Sequence, residues 1–451
     1  MKLTIRELNN ITDGNVANGD FERYADRIIT NMVTDSRSVK EDSAYLPIIG
    51  ERVDGHSFIS AALSNCYLSF SEKDDIDYAG DRIIIRVDSV QKAMNKIAEY
   101  YRSTIQIPIV AVTGSVGKTT TREMIAAALS SEGKVFSTKG NKNSQIGVPL
   151  TLSEFEDDAY IAVLELGMSM PDEMEKIADL VKPNCAVFTN IGVTHIENLG
   201  SREKIFEEKN HITDYLKDGE YVVINDDNDI LHNAKWREGI KVLRYGLSEN
   251  CDAYVKDINN DSGTPEFTAV VGDEEVRISL NVYGKHMIYN SLAALLVCKA
   301  YGVDLYKAAE KLSQFEGFAH RQQIIRTKHF VIIDDSYNAN PDSMRAAIDM
   351  LDAFPARGKK IAVLGDMKEL GEISAQEHKK IAQHIKSKSG IDKVFTIGEY
   401  SQLIDSDRHF SVKEELEEYI KDSIDDGDVI LFKASNSFAL FTCAELLSKM
   451  E

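Results

Sequence analysis

Between residues 105 and 225 the chain repeats one grammar: short runs of almost purely apolar residues, separated by helical patterns. The runs are "IPIVAVTG", "KVFST", "AYIAVLELG", "NCAVFTNIG" and "EYVVIN", and "DEMEKIADLVK" is a typical spacer. A strand that is apolar on both faces cannot border water on either. Such runs belong in a parallel sheet covered by helices front and back. From 240 to 283 the pattern becomes strand-rich without helices ("KVLRYG", "EFTAVVG", "VRISLNVYG") and reads as an antiparallel extension. Two helices, "HMIYNSLAALLVCKAYG" and "DLYKAAEKLSQFE", close that unit. A second alternating set starts near 317 with "HFVIIDD", "KKIAVLGD", "KVFTIG" and "DVILFKAS". Residues 1 to 104 mix short strands and helices and end in "SVQKAMNKIAEYYRSTI". The expected fold is α/β in three domains: a small mixed α/β unit over 1–104, a central parallel-sheet unit over 105–316 and a Rossmann-like α/β unit over 317–451. A chain of 451 residues has room for about three units, each with its own core.

The sharpest local signal is "AVTGSVGKTTTREM", residues 111 to 124. Pro108 to Thr113 reads as a strand, Gly114, Ser115 and Gly117 as a tight turn, and Met124, Ile125, Ala128 and Leu129 as one face of the next helix. A strand, turn and helix start aim backbone N–H groups and a helix dipole at an anion. Lys118 can then reach outer phosphates and Thr119 can place its hydroxyl on Mg²⁺. Val112 stands where the usual P-loop has its first Gly, so the loop is a variant. A plain strand-turn-helix with a solvated lysine is the alternative. Gly-Lys-Thr at a strand-to-helix junction favours a P-loop-type ATPase domain.

Bulk properties narrow the partners. A formal net charge of −21 argues against a general binder of nucleic acid or anionic membrane. Cys66, Cys185, Cys251, Cys298 and Cys443 form no CxxC pair and read as reduced thiols of a cytoplasmic protein. The start, "MKLTIRELNNITDG", is no signal peptide, and no apolar run reaches spanning length.

Other polar groups stand at the carboxyl ends of strands, where open α/β sheets place their sites. Glu165 ends "AVLE" and either binds Mg²⁺ beside the loop or faces solvent. His195, in "TNIGVTHIE", taken alone is an ordinary hydrogen-bonding histidine. Lys209, in "FEEKNH", taken alone is a solvated helix lysine. Asp334 and Asp335 end "FVIID", the place for a carboxylate on a ribose hydroxyl or for solvent-facing turn acids. "TKGNKNSQIGVPL" (138–150) reads as a loop before a helix or strand, with asparagines suited to Asx-turns.

Together these pieces resemble the Mur ligase family, ATP-dependent amide-bond synthetases of peptidoglycan precursor assembly. "TGSVGKTTT" is similar to that family's phosphate loop, "NIGVTHIENLGSREKIFEEKN" to its His-to-Lys segment, and "GKHMIYNSLAA" to its adenine-side helix. "HR" at 320–321 is similar to its hinge-proximal arginine, and the pieces follow the family's order over almost the whole length. The resemblance implies ATP at Thr113, Gly114, Ser115, Gly117, Lys118, Thr119 and Thr120, with Asn290 at the adenine, Arg321 at the γ-phosphate, and Asp335 and Tyr337 beside the nucleotide. It implies two Mg²⁺ held by Thr119, Glu165, His195 and Lys209, with Lys209 carbamylated: CO₂ turns an ammonium into a carboxylate able to hold a cation. Lys118, His195, Lys209 and Arg321 would be the catalytic set.

Within the family, "TDSRSV" and "GERVDGHSF" (34–58) look like a uridine-nucleotide domain, placing Ser36, Arg37, Asn143 and Asn340 at the substrate. "DDSYNANPDSM" (334–344) and "VLGDMKELGEISAQEH" (363–378) look like the last ligase of the pathway, and the Asp-Asn-Pro-Arg stretch of the diaminopimelate-adding ligase is absent. The implied reaction joins D-alanyl-D-alanine to UDP-N-acetylmuramoyl-tripeptide through an acyl phosphate, in a cytoplasmic enzyme expected to be a monomer. Departures are Met170 where relatives place His or Gly, "SAYLP" at 43–47, and "KASNSF" at 433–438 without the family's Gly and Arg. They motivate one rival, a paralogue joining a different amine to a different carboxylate. A regulatory nucleotide switch is the other; for a GTPase, "NKNS" at 141–144 lacks the Asp of a guanine-reading motif.

Overall fold

The computed structural model describes residues 1–50, 52–155, 158–259 and 263–450. Of the "GERVDGHSF" stretch, Glu51 lies outside the described residues. Among those residues the strands form sheets of nine, six, five and two.

The nine-stranded sheet carries the site. Its parallel centre pairs Ile109–Thr113 with Ile161–Glu165 on one side and Cys185–Phe188 on the other, with Val135–Ser137 at one edge and Tyr221–Asn225 beyond Cys185–Phe188. Val110, Val112, Val163, Cys185 and Val187 pack into one core, while Ile109, Ala111, Ala162, Leu164, Ala186 and Phe188 pack into the core on the opposite face. The first face is covered by helices Lys118–Leu129 and His286–Ala300. The opposite core runs on without a break into the N-terminal unit, through Ile97 and Ala98 of helix Val90–Thr104 and Leu152 of helix Gly147–Ser153.

The antiparallel extension begins later than the sequence pattern suggests. Lys241–Tyr245 pairs parallel with Tyr221–Asn225, and Ala253–Asn259 meets Lys241–Tyr245 in parallel through Tyr245 and Ala253. Only Ala253–Asn259, Glu266–Val271 and Glu274–Ser279 form the antiparallel meander. The absence of helical pattern from 240 on suggested antiparallel pairing, but Lys241 follows a crossover containing the one-turn helix Asp229–His232.

The six-stranded sheet is parallel except at its first strand, Gln323–Arg326, which pairs antiparallel with Val331–Asp334. The helix after Asp334 is written in local sequence. Asn340 caps it, its side chain accepting from Ser343 N at 2.9 Å, and Pro341 occupies the first turn, where a missing N–H costs nothing. The five-stranded sheet belongs to the N-terminal unit and runs Asn15–Asn18, Ile83–Arg86, Leu68–Ser71, Ser43–Tyr45, Asn31–Val33.

Candidate active site

A cavity of about 570 Å³ lies where the carboxyl edge of the nine-stranded sheet faces the C-terminal unit. Loop residues 115–120, Glu165, His195 and Asn290 line one side; Arg321, Asp335, Tyr337 and Lys433 line the other.

The loop's shape follows from close packing. Gly114 has φ +149°, and a Cβ there would come within 1.9 Å of Thr189 Oγ1. Val112 is a buried strand residue, so the turn's need for glycine falls at 114 instead. Strand Cys185–Phe188 braces the loop from its carboxyl end: Thr189 Oγ1 donates to Val116 O at 2.6 Å, and Asn190 takes Ser115 N at 3.0 Å and Val116 N at 2.9 Å. Gly117, with φ +82°, starts helix Lys118–Leu129 without a side-chain cap, leaving first-turn N–H groups and the positive dipole end for an anion. Lys118 Nζ donates to Gly114 O at 2.9 Å, and desolvation lowers its pKa against the pull of Glu165. Thr113 is the buried strand end behind the loop, and Thr120 reaches the cavity wall.

Glu165 does not face solvent; it is 2% exposed. One oxygen accepts from Thr119 Oγ1 at 2.8 Å, and the other from Asn143 Nδ2 at 2.6 Å. Arg122 Nη1 stands 3.5 Å away, itself buried. Arg122 also donates to Gly140 O at 3.4 Å, tying the 138–146 loop that carries Asn143 to the phosphate-loop helix. Sequence reading missed Arg122, because a helix arginine ordinarily reads as solvated.

Lys209 is the largest revision to the residue-by-residue reading. It lies in the last turn of helix Arg202–Asn210, is fully buried, and its Nζ has no hydrogen-bond partner. Desolvation, helped by the Lys118 charge, pushes its pKa well below the usual lysine value. Its neighbour Glu208 fixes the helix by accepting from Asp172 N at 3.0 Å and Met174 N at 2.9 Å, at the start of helix Glu173–Val181. Lys209 stands behind the cavity wall rather than on it. His195 has left-handed backbone, φ 66°, and its Nδ1 lies 2.7 Å from Glu369 Oε2, an ion-pair distance without good hydrogen-bond alignment.

The remaining groups come from helix His286–Ala300, the hinge and the C-terminal unit. Asn290 is buried, its Oδ1 accepting from Thr121 Oγ1 at 3.0 Å. Arg321 sits between His320 and Gln322, both in left-handed backbone, and its guanidinium stacks 3.9 Å from the Tyr337 ring centre. Asp335 is ion-paired with buried Lys433 at 2.7 Å, yet burial still raises its pKa. Asp334 is an anchor rather than a solvent-facing acid: it contacts His320 Nδ1 at 2.7 Å and takes Ser336 N at 3.1 Å. Besides capping its helix, Asn340 donates to Thr194 Oγ1 at 3.1 Å. Ser36 and Arg37 are not brought to this cavity; Arg37 folds onto Asp35 at 2.7 Å on the N-terminal unit. Lys433, His286 and Glu369 were not singled out as site groups, and their signal is spatial rather than sequential.

The descriptions of two family models match this chain: Mur ligase middle domain over residues 112–298, and Mur ligase, glutamate ligase domain, over 320–436. A UDP-N-acetylmuramoyl-tripeptide–D-alanyl-D-alanine ligase of Bacillus subtilis (strain 168) is 34% identical, the match covering 98% of this chain and 97% of that one. The chain belongs to the Mur ligase family. Among solved structures, MurF from Acinetobacter baumannii superposes with a TM-score of 0.88 at 26% identity, covering 100% of this chain and 99% of that chain. MurF ligase from Thermotoga maritima in complex with ADP gives 0.81 at 29% identity, covering 93% and 97%.

Proposed function

We propose that the chain is the ATP-dependent ligase that joins D-alanyl-D-alanine to UDP-N-acetylmuramoyl-tripeptide in peptidoglycan precursor synthesis, working as a cytoplasmic monomer. The match to the Bacillus subtilis ligase over 98% of the chain carries the substrate choice. The cavity that joins the phosphate loop to Arg321 and Asp335 carries the chemistry. Among the described residues no helix is long and apolar enough to cross a membrane. The domain borders near 104 and 316 are part of the proposal: the first follows helix Val90–Thr104, and the second precedes the left-handed turn at Gly317 and His320.

The first step is attack of the tripeptide carboxylate on the γ-phosphate: an O–P bond forms, the bond to the β-phosphate oxygen breaks, and ADP leaves. Two anions must meet, so positive charge has to be waiting for them. Lys118 and the first-turn N–H groups receive the phosphates from below, and Arg321, stiffened by Tyr337, approaches from the hinge. The dipeptide amine then adds to the acyl carbon. The tetrahedral adduct expels phosphate, which carries one former carboxylate oxygen, and the nitrogen loses its proton. Closure by the C-terminal unit keeps water from the acyl phosphate.

The donor set suits two Mg²⁺. Thr119 and Glu165 are already in contact, His195 lines the same cavity, and Lys209 is a buried amine without a partner. Among the described residues no three His, Cys, Asp or Glu side chains gather into a site by themselves, so a modified Lys209 would supply the missing oxygen ligand. Burial favours the neutral amine, the form that adds to CO₂ to give a carbamate and a proton. Bound Mg²⁺ would spread the charge of the transferring phosphoryl group.

Phosphate release from ATP, with each substrate supplied singly and then together, tests the reading. It predicts release only with both, and a product heavier by one D-alanyl-D-alanine. Release with a different amine instead would support the paralogue.

A further inference from the structure

The stretch "VLGDMKELGEISAQEH" looks like the last ligase of the pathway in sequence. In the structure it is a rigid arm that ends at His195. Asp366, fully buried, accepts from the backbone N–H groups of Glu399, Tyr400 and Ser401 at 2.9, 3.0 and 2.7 Å. Met367 N donates to His378 Nε2 at 3.1 Å, and Lys368 N to Ser435 Oγ at 2.8 Å. Met367 and Leu370 are buried on either side. What projects is Glu369, in left-handed backbone at φ 63°, with its carboxylate 2.7 Å from His195 Nδ1. Both ends of this contact therefore hold a non-glycine residue in a conformation that costs roughly 1 kcal/mol and persists only where the surroundings enforce it.

The seat is gripped twice. Next to Glu369, a Cβ on Gly371 would lie 3.2 Å from Glu197. On the other side Asn340 bonds Thr194, and Asp342 lies against Gly192, where an added Cβ would come within 2.5 Å of its carboxylate. Residues 192–197 are thus held between the 366–371 arm and the start of helix Pro341–Ala353, both from the C-terminal unit.

We propose that Glu369 is a positioning residue for His195. Its carboxylate, at ion-pair distance from Nδ1, draws the ring proton to that nitrogen as the units dock and leaves Nε2 as the lone-pair nitrogen for the cavity. Because Glu369 arrives on the C-terminal unit, docking of that unit is what orients the ring. A histidine that binds a cation commonly hands its other nitrogen to a carboxylate; here that carboxylate comes from a separate domain. The inference rests on the ligase reading above, and its test is chosen to separate the two.

The test uses the full chain with ADP, and Mn²⁺ as the probe, followed by electron paramagnetic resonance. Glu369→Gln is expected to weaken Mn²⁺ binding about 10-fold or more, and Glu369→Asp less, with ADP affinity in chelator unchanged. Glu372→Gln, an exposed neighbour, should bind Mn²⁺ like the parent. In the unsubstituted, metal-free protein, ¹⁵N spectra should place the His195 proton on Nδ1, a readout that needs no variant. Parent-like Mn²⁺ binding by Glu369→Gln, or a proton on Nε2, would overturn the proposal and leave the ligase reading intact. Parent-like binding by His195→Ala would overturn the proposal together with the role of His195 as a ligand. Loss of the ligase reading would show separately, as absent product in the two-substrate assay.

Discussion

Lys209→Met should make the protein more stable and nearly inactive at once. The side chain is fully buried and its Nζ has no partner. Leaving such a polar group unsatisfied costs roughly 1–3 kcal/mol, and methionine keeps the aliphatic stem while removing the amine. The sign of the pH dependence follows from the lowered pKa. Below its ordinary 10.5 the unfolded lysine binds a proton that the folded one refuses until a lower pH, so the unfolded state gains as pH falls. In that interval each pH unit is worth about 1.4 kcal/mol. The advantage of Lys209→Met should therefore be largest near neutrality and shrink as pH rises toward 10. Urea unfolding of both proteins in CO₂-free buffer at pH 7.5 and 9.5 measures this, and turnover with both substrates should fall at least 100-fold in the variant. A variant less stable than the parent, or an advantage that does not change with pH, would mean that Lys209 has a partner and that its burial is not a held-back amine awaiting CO₂.

Three further outcomes follow from the same geometry. Gly114→Ala puts a methyl within 1.9 Å of Thr189 Oγ1 at φ +149°; it should cost about 2 kcal/mol or more and abolish ADP binding by calorimetry. Lys433→Met leaves the Asp335 carboxylate buried without its cation, so a loss of about 3–5 kcal/mol is expected, partly restored by adding Asp335→Asn. Burial on the cavity wall pushes His286 down to about 4, against the opposing influence of the neighbouring Gln322 side chain. Between 6.5 and about 4 the unfolded histidine takes the proton first, so stability falls as pH falls through that window. Because solvent partly reaches the ring, the loss should be about 1–3 kcal/mol, and unfolding of His286→Gln should lack that slope.

What could be read in advance was what the chain writes locally. The two-faced strands announce a covered parallel sheet, and Gly-Lys-Thr after a strand announces a helix start open to an anion. What stayed hidden depends on residues far apart in sequence. Lys209 and Arg122 have ordinary helix neighbours, and only the folding of the 138–146 loop and helix Glu173–Val181 over them removes water. The Lys433–Asp335 pair spans 98 positions, and the Glu369–His195 contact joins two domains. The antiparallel extension was expected to start at Lys241–Tyr245 because the crossover before it is too short to show a helical period. Ser36 and Arg37 were placed by resemblance alone, and they lie on a unit whose strands form a separate sheet from the cavity's.

The most direct test of the account follows one oxygen atom. UDP-N-acetylmuramoyl-tripeptide carrying ¹⁸O in the carboxylate that accepts the dipeptide would be turned over with ATP and D-alanyl-D-alanine, and the phosphate analysed by mass. An acyl phosphate requires one ¹⁸O in the phosphate for every amide bond formed. Amide product with unlabelled phosphate would contradict the account, because the carboxylate would then have been activated without ever bonding to the γ-phosphorus.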